Sequence, residues 1–248
     1  MSALELSSKY REWIREAAKR ADLQLLPEQE EQLLEFISHL LEKNRVMDLT
    51  NITKAEELGV KHLLDSWMLL PLIDQQVSAN RLSLADVGSG AGFPGLPLKI
   101  VRPRLEVILL DSQKKRVDFL TETIGRLELS GIQAIRMRAE EAGRDRRFRD
   151  AFDIVTARAV AALPQLAELC LPLVRPGGIF LAMKGQADEE TDSARSAIAQ
   201  LSGQLRAVQE YVLPGTDMMR SLLVIEKISP TKPAFPRSYA KIKKNPLK

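Results

Sequence analysis

Asp86-Val87-Gly88-Ser89-Gly90-Ala91-Gly92-Phe93-Pro94-Gly95 is the stretch that decides the fold of this chain. The apolar run Leu82 to Val87 enters it and a helical stretch leaves it, so the glycines stand at a strand-to-helix turn. Glycine permits a tight turn and a close approach of backbone to ligand. Pro94 suits the first position of a helix, where its missing N–H is not needed, and the start of that helix is expected to face the ligand. Asp111 ends the next apolar run, 21 residues after Gly90, where a carboxylate can accept hydrogen bonds from both ribose hydroxyls of an adenosine group. Tight packing alone would explain the glycines, but it would leave Asp86 and Asp111 as coincidences.

Outward from this turn, short apolar runs alternate with helical stretches, the signature of βαβ units and a parallel sheet. Five strands are expected: Leu82 to Val87, Leu105 to Leu110, Ile132 to Arg136, Phe152 to Ala157 and Ile179 to Met183, the last announced by a turn at Pro176-Gly177-Gly178. Val117, Leu120, Ile124 and Leu127 recur at helical spacing and mark a crossover helix packed on the sheet. After a polar helix from about Asp188 to Leu205, the runs Ala207 to Leu213 and Ser221 to Lys227 flank Pro214-Gly215-Thr216-Asp217 and read as an antiparallel hairpin. The expectation is an α/β fold with a mostly parallel seven-stranded sheet and an antiparallel last strand. Before it, residues 1–75 read as a helical segment. Leu33, Leu34, Ile37, Leu40 and Leu41 form one apolar helical face after a Pro27-Glu28 start, and Leu63, Leu64, Trp67 and Leu70 form another. The polar stretch Asn44 to Thr53 reads as the loop between them. The chain is thus divided into a helical segment packed on the body (1–75), a nucleoside-binding domain (76–227) and a tail (228–248) in which Pro230, Pro233 and Pro236 forbid a regular helix.

Composition narrows the function classes. Hydrophobic residues make up 45% of the 248 and charged residues 28%, near the averages for soluble globular proteins, and no apolar run approaches a membrane span. Export is not expected from the mixed N-terminus Met1 to Trp13. The one cysteine, Cys170, fits a reducing, cytoplasmic setting and reads as a small buried hydrophobe. With only His39 and His62 beside it, no zinc cluster is recognisable and no metal is expected. Seven of the basic residues, Lys227, Lys232, Arg237, Lys241, Lys243, Lys244 and Lys248, fall in the last 22 residues without an acid. Setting them aside takes the formal net charge from +3 to −4. A basic tail on an acidic body suits a polyanionic partner; a solvated, disordered tail explains it equally well.

The glycine pattern also satisfies G-x-G-x-x-G at Gly90 to Gly95, so the pattern alone admits a dinucleotide. Three features favour S-adenosylmethionine over NAD. Asp86 before the glycines suits a cationic aminoacyl group and is hostile to pyrophosphate. A strand pair follows the fifth strand, and no separate substrate domain follows the nucleotide unit. This combination resembles the class I (Rossmann-like) methyltransferases. Glu140, in Ala139-Glu140 after the third strand, could accept from the adenine amine or stand as a solvated acid at a helix start. Arg158, directly after the fourth strand, is hard to bury unpaired, so an internal ion pair and a functional role both remain open. Asp153 and Arg158 flank that strand.

The motifs Asn44 to Thr53, His62-Leu63-Leu64-Asp65-Ser66, Asp86 to Gly95, Ala139-Glu140, Ala157-Arg158-Ala159, Lys184-Gly185 and the Pro-rich basic end together resemble the glucose-inhibited division protein B family over nearly the whole chain. The resemblance implies a bacterial S-adenosylmethionine-dependent methyltransferase acting on N7 of a guanine in the 530 loop of small-subunit (16S) ribosomal RNA. Its cofactor contacts would be Gly88, Phe93, Ala139, Glu140 and Arg158, to which the turn itself adds Asp86, Gly90, Gly92 and the ribose acid Asp111. After the fourth strand, Thr156-Ala157-Arg158-Ala159 lacks the Asn/Asp-Pro-Pro-Tyr/Phe loop of many enzymes that methylate exocyclic amines. Guanine N7 presents a lone pair in the ring plane, so direct transfer needs no general base and positioning can carry it. Arg158 and Lys184 are the candidates to hold the methionine carboxylate, the guanine O6 or a phosphate, although Lys184 also reads as an ordinary strand-end lysine. The expected partner is small-subunit ribosomal RNA or the small subunit, met by a monomer. Three readings compete: a methyltransferase of a non-RNA substrate, an NAD-dependent oxidoreductase, and a non-enzymatic nucleic-acid-binding factor on the same fold.

Overall fold

The computed structural model describes residues 3–76, 81–158, 161–185 and 188–247. Seven strands, β1 (Leu82–Val87), β2 (Leu105–Asp111), β3 (Ile132–Arg136), β4 (Phe152–Arg158), β5 (Val174–Lys184), β6 (Gly203–Val212) and β7 (Met219–Lys227), form one sheet in the order β3-β2-β1-β4-β5-β7-β6. Strands β1 to β5 pair in parallel, and β7 runs antiparallel to both β5 and β6. The α/β class, the seven strands and the single antiparallel strand are as expected.

The helices follow in chain order: α1 (Ala3–Arg20), α2 (Pro27–Met47), α3 (Ala55–Leu58), α4 (Asp65–Trp67), α5 (Leu70–Gln75), α6 (Gly95–Val101), α7 (Lys114–Arg126), α8 (Ala139–Ala142), α9 (Leu163–Cys170), α10 (Asp188–Gln200) and α11 (Tyr239–Lys244). None among the described residues is long and apolar enough to cross a membrane.

Strand residues alternate between two faces because successive side chains point to opposite sides of a sheet. Leu84, Leu109, Ile154, Leu181 and Val224 enter one apolar core with α1, α2, α6 and α7. Their neighbours Ala85, Leu110, Val155, Ala182 and Ile225 enter a second core with α9, α10 and Ile242 of α11. The N-terminal helices therefore cover one face and the C-terminal segment the other. Strand order reverses between β1 and β4, and the crevice above such a reversal is where α/β sheets bind ligands.

Several local expectations shift. Helix α2 runs on to Met47 and stops at Asp48, whose φ of 50° is left-handed, so the loop begins four residues later than Asn44. Pro176-Gly177-Gly178 lies within β5 as a bulge, not before it as a turn. The register against β4 shifts between Phe152 and Ile154, and a Cβ on Gly178 would strike the Asp153 carbonyl at 2.6 Å. Strand β6 starts at Gly203 and helix α10 ends at Gln200, because Ser202 (φ 62°) turns the chain there.

The tail departs furthest from a solvated one. Lys227 is fully buried, and its Nζ donates to Asp150 Oδ1 (2.9 Å), Thr231 Oγ1 (2.6 Å) and the carbonyls of Leu171 and Val174. Arg149 donates to the carbonyls of Thr231, Lys232 and Phe235. Arg237 forks onto Glu168, a carboxylate with 0% exposure. Two of the seven tail cations are thus committed to acids of the body. The thiol of Cys170 is wholly buried, as expected, and burial raises its pKa.

Candidate active site

The glycine turn is built around Asp86, and not in the way its position suggests. The Asp86 carboxyl is fully buried, and its Oδ2 accepts the N–H of Gly95 (3.0 Å), capping α6 from behind. Ser89 Oγ donates to the Asp86 carbonyl at 2.8 Å. Asp86, expected to suit the cationic aminoacyl group, therefore does not line the cavity described below, and the Gly95 N–H at the start of α6, a helix start expected to face the ligand, is taken by this cap. Its Oδ1 has no hydrogen-bond partner among the described residues, and burial pushes the carboxyl pKa up to about 7. Helix α6 begins at Gly95, one residue later than Pro94, which follows a cis peptide from Phe93. Gly92 has a φ of 96°, and a Cβ there would strike Leu96 at 2.5 Å and Leu120 at 3.0 Å. Only glycine fits that position.

A cavity of about 390 Å³ opens at the ends of β1, β2, β3 and β4, within the usual range for small-molecule sites. Of the sequence candidates, Gly88, Asp111, Ala139, Glu140 and Arg158 line it. Asp111, the last residue of β2, accepts the N–H of Gly90 at Oδ2 (3.1 Å) and of Gln113 at Oδ1 (2.8 Å). Each oxygen retains acceptor capacity for a ribose hydroxyl, since a carboxylate offers about four lone-pair positions. Arg116 stands 3.5 Å from Asp111 Oδ2. Glu140 is mostly buried and lies 3.9 Å from Arg138. The Gly88 backbone, a ribose-ready carboxylate and a second acid, Glu140, form a lining that fits S-adenosylmethionine. Gly90, Gly92 and Phe93 support this cavity without lining it.

Phe93 instead stacks on His62, with ring centroids 4.2 Å apart, and lies under the Arg158 guanidinium at 5.5 Å. Arg158 ends β4 and is held from the N-terminal segment. It donates to the Lys61 carbonyl (3.0 Å), to Asp65 Oδ2 (3.2 Å) and to His62 Nδ1 (3.0 Å). An arginine only donates, so Nδ1 is the acceptor and the neutral ring carries its proton on Nε2, 3.1 Å from Thr50 Oγ1. Burial first, and the Arg158 charge second, lower the His62 pKa to about 3, so the ring stays neutral across physiological pH. Asp65 is 3% exposed and is clasped from its other side by Arg220 of β7, at 3.0 Å. A buried carboxylate between two guanidiniums is compensated; losing either leaves charge uncovered. His62 lies in a π-helical turn, Gly59–Leu64, a form that often marks functional sites. Gly59 lets α1 pass close by, since a Cβ there would stand 2.9 Å from the Trp13 carbonyl.

A second cavity, of about 500 Å³, lies beyond Arg158 and is lined by Ile52, Lys61, His62, Asp65, Met183, Lys184, Gly185, Tyr211, Arg220 and Ser221. Among the described residues, Arg158 is the one that lines both cavities. Lys184, the last residue of β5, lines only the second, and its Nζ donates to the Ala161 carbonyl at 3.0 Å. The Tyr211 hydroxyl is held protonated by burial, which raises its pKa. Asp153 sits at the opposite end of β4, bound to Ser83 and Arg175, away from both cavities. Ala159 and Val160 lie outside the described residues.

Sequence reasoning missed Arg220, Tyr211 and Tyr239; it read Asp65 only as part of a motif, and His62 as part of that motif and as a histidine too isolated to hold zinc. One signal was present for Asp65: an acid among Leu63, Leu64 and Trp67 on an apolar helix face must find a cation. Nothing local marks Arg220, whose partner is 155 residues away.

A profile of the family described as rRNA small subunit methyltransferase G matches residues 29–217. A protein of Acetivibrio thermocellus named ribosomal RNA small subunit methyltransferase G is 43% identical over 243 residues, covering 98% of this chain and 99% of that one. One of the same name from Lachnoclostridium phytofermentans is 47% identical over 218 residues, 88% of this chain and 89% of its own. Among solved structures, a candidate sarcosine dimethylglycine methyltransferase from Galdieria sulphuraria superposes with a TM-score of 0.51 at 9% identity, covering 71% of this chain and 88% of that one; it shares the fold.

Proposed function

This chain belongs to the rRNA small subunit methyltransferase G family, and from that membership we propose how its two cavities methylate N7 of a guanine in the 530 loop of 16S ribosomal RNA. The enzyme is an S-adenosylmethionine-dependent rRNA methyltransferase, as the resemblance implied, and neither the oxidoreductase nor the non-RNA alternative is favoured.

The observation that carries the assignment of the site is that Arg158, alone among the described residues, lines both cavities. The first, with Gly88, Asp111, Ala139 and Glu140, takes the cofactor, and the second takes the guanine. S-adenosylmethionine, when bound, supplies an electrophilic sulfonium methyl. Asp111 holds the ribose and Glu140 the adenine amine, while Arg158 fixes the methionine end against the acceptor. Lys184 and Arg220 are placed to meet O6 or a phosphate of the incoming nucleotide, since both present donors and a positive charge. Transfer of that methyl to a ring nitrogen that already presents a lone pair would require no residue of this chain to act as a base. No proton leaves. This agrees with His62, whose proton is committed to Thr50 and whose other nitrogen is committed to Arg158. Catalysis then rests on positioning.

In this reading 76–227 is the catalytic domain, 1–75 braces its acceptor side and 228–248 folds back on it. The enzyme works as a cytoplasmic monomer without a metal. Labelled S-adenosylmethionine and small subunits lacking the modification test the reaction. Label should appear on a guanine, and Arg158→Ala should abolish transfer to both subunit and naked RNA. Absence of label with the intact chain on either substrate would overturn the proposal.

A further inference from the structure

The tail, read from sequence as an RNA-seeking or solvated extension, also reaches the cofactor cavity, which Tyr239 of α11 lines together with Asp111. We propose that Tyr239 is a cofactor-binding residue whose ring stacks on the adenine of S-adenosylmethionine. The proposal rests on the reading of this cavity as the cofactor site.

Position comes first. Arg158, shared with the second cavity, marks the acceptor side, and Asp111 marks the ribose. Met137 to Glu140, Leu169 and Tyr239 belong to the same lining, and to these we assign the base. Met137 and Leu169 offer apolar surface to a base face, Glu140 offers an acceptor to its amine, and an aromatic ring completes such a set.

Anchoring is the second observation. Helix α11 is short, yet the segment that carries it is fixed at several separate points. Arg149 gathers the carbonyls of Thr231, Lys232 and Phe235, Lys227 binds Thr231, Arg237 neutralises the buried Glu168, and Ile242 is wholly buried. Glu168 belongs to α9, which also supplies Leu169 to the cavity. The contacts that fix the segment therefore fix Tyr239 relative to the cavity.

Third, the ring is held on its own account. The Arg138 guanidinium lies 5.7 Å from the Tyr239 centroid, while the residue remains 42% exposed. A large aromatic surface left open beside a nucleoside-sized cavity, and oriented by a neighbouring cation, gains by covering a base.

The test uses calorimetric titration of the full-length protein with S-adenosylhomocysteine. Tyr239→Phe should bind as the intact chain does, and Tyr239→Ala should bind roughly five- to 150-fold more weakly, the range expected for removal of a base stack. Because a purely structural role could mimic weaker binding, Tyr239→Trp supplies a direct readout: its emission should change when S-adenosylhomocysteine is added, above the background of Trp13 and Trp67 measured in the intact chain. Unchanged affinity of Tyr239→Ala, or unchanged emission from Tyr239→Trp, overturns the proposal while leaving the cavity assignment intact. Failure of the intact chain to bind S-adenosylhomocysteine overturns the cavity assignment and this proposal with it.

Discussion

Arg158 shows what a single residue carries here. Its guanidinium joins the Lys61 carbonyl, His62 and Asp65 beside both cavities, so Arg158→Ala removes a positioning group and also uncovers a buried acid. Loss of one partner from a buried ion pair costs about 3 to 5 kcal/mol. Arg220 remains on Asp65, so about 2 to 3 kcal/mol in urea unfolding is expected, with single-turnover methyl transfer down by at least about a hundredfold. A variant that loses stability but keeps its rate would reduce Arg158 to a brace. Titration gives a second residue-scale prediction. The folded pKa of Asp86 is raised from 3.8 to about 7, so its contribution to stability is greatest below the unfolded value and is lost as pH rises through 7. His62 is the opposite case: lowered from 6.5 to about 3, it contributes fully above 6.5 and loses that contribution as pH falls toward 3. Between about pH 5 and 8, Asp86→Asn should therefore gain melting temperature relative to the intact chain as pH rises; parallel curves would show that this carboxyl does not titrate there. The sequence places Asp86 correctly at the turn. It cannot give the direction of the carboxyl, which is set by the approach of Gly95 from the next element.

At the scale of elements, the decisive object is the path from the end of α2 to the π-helical turn. Asn44 Oδ1 accepts the N–H groups of Leu49 and Thr50, and its Nδ2 donates to the Thr50 carbonyl. That fixes Thr50 against His62, and His62 against Arg158. Asn44→Ala leaves three backbone groups of the loop without this partner and should cost about 1 to 3 kcal/mol. It should also lower kcat for methyl transfer by more than it weakens S-adenosylhomocysteine binding, because the loop reaches the acceptor cavity directly and the cofactor cavity only through His62 and Arg158. A matching loss of cofactor affinity would contradict that separation. The strands β1 to β4 were legible because each is a short apolar run bounded by turn residues, and α7 because its apolar period is unbroken. The bulge in β5 and the extra turn of α2 were not. Gly178 and Asp48 carry ordinary turn signals, and only pairing with β4 and the left-handed stop at Asp48 decide what those signals mean.

For the whole molecule, the two ends of the chain close the site from opposite faces of the sheet: α2 to α4 brace Arg158, and the C-terminal segment packs on α9. The sequence shows that the last 22 residues are basic and rich in proline, but charge counting cannot separate cations that pair with acids of the body from those that face solvent. Lys227 and Arg237 are of the first kind. Among the described residues of the tail, Lys232, Lys241, Lys243 and Lys244 are exposed and are the lysines able to meet phosphate. Deleting 228–248 would strip Lys227, Glu168 and the second core of Thr231, Arg237 and Ile242, so it should destabilise the enzyme whatever its substrate. Replacing the four exposed lysines with glutamine removes charge and leaves those anchors in place. If these lysines bind ribosomal RNA, the slope of log affinity against log salt should become shallower by about 0.7 to 0.9 for each phosphate no longer neutralised. Melting temperature and S-adenosylhomocysteine affinity should stay at the values of the intact chain. An unchanged salt slope would assign RNA binding to the body of the enzyme and leave the C-terminal segment to the cofactor side alone.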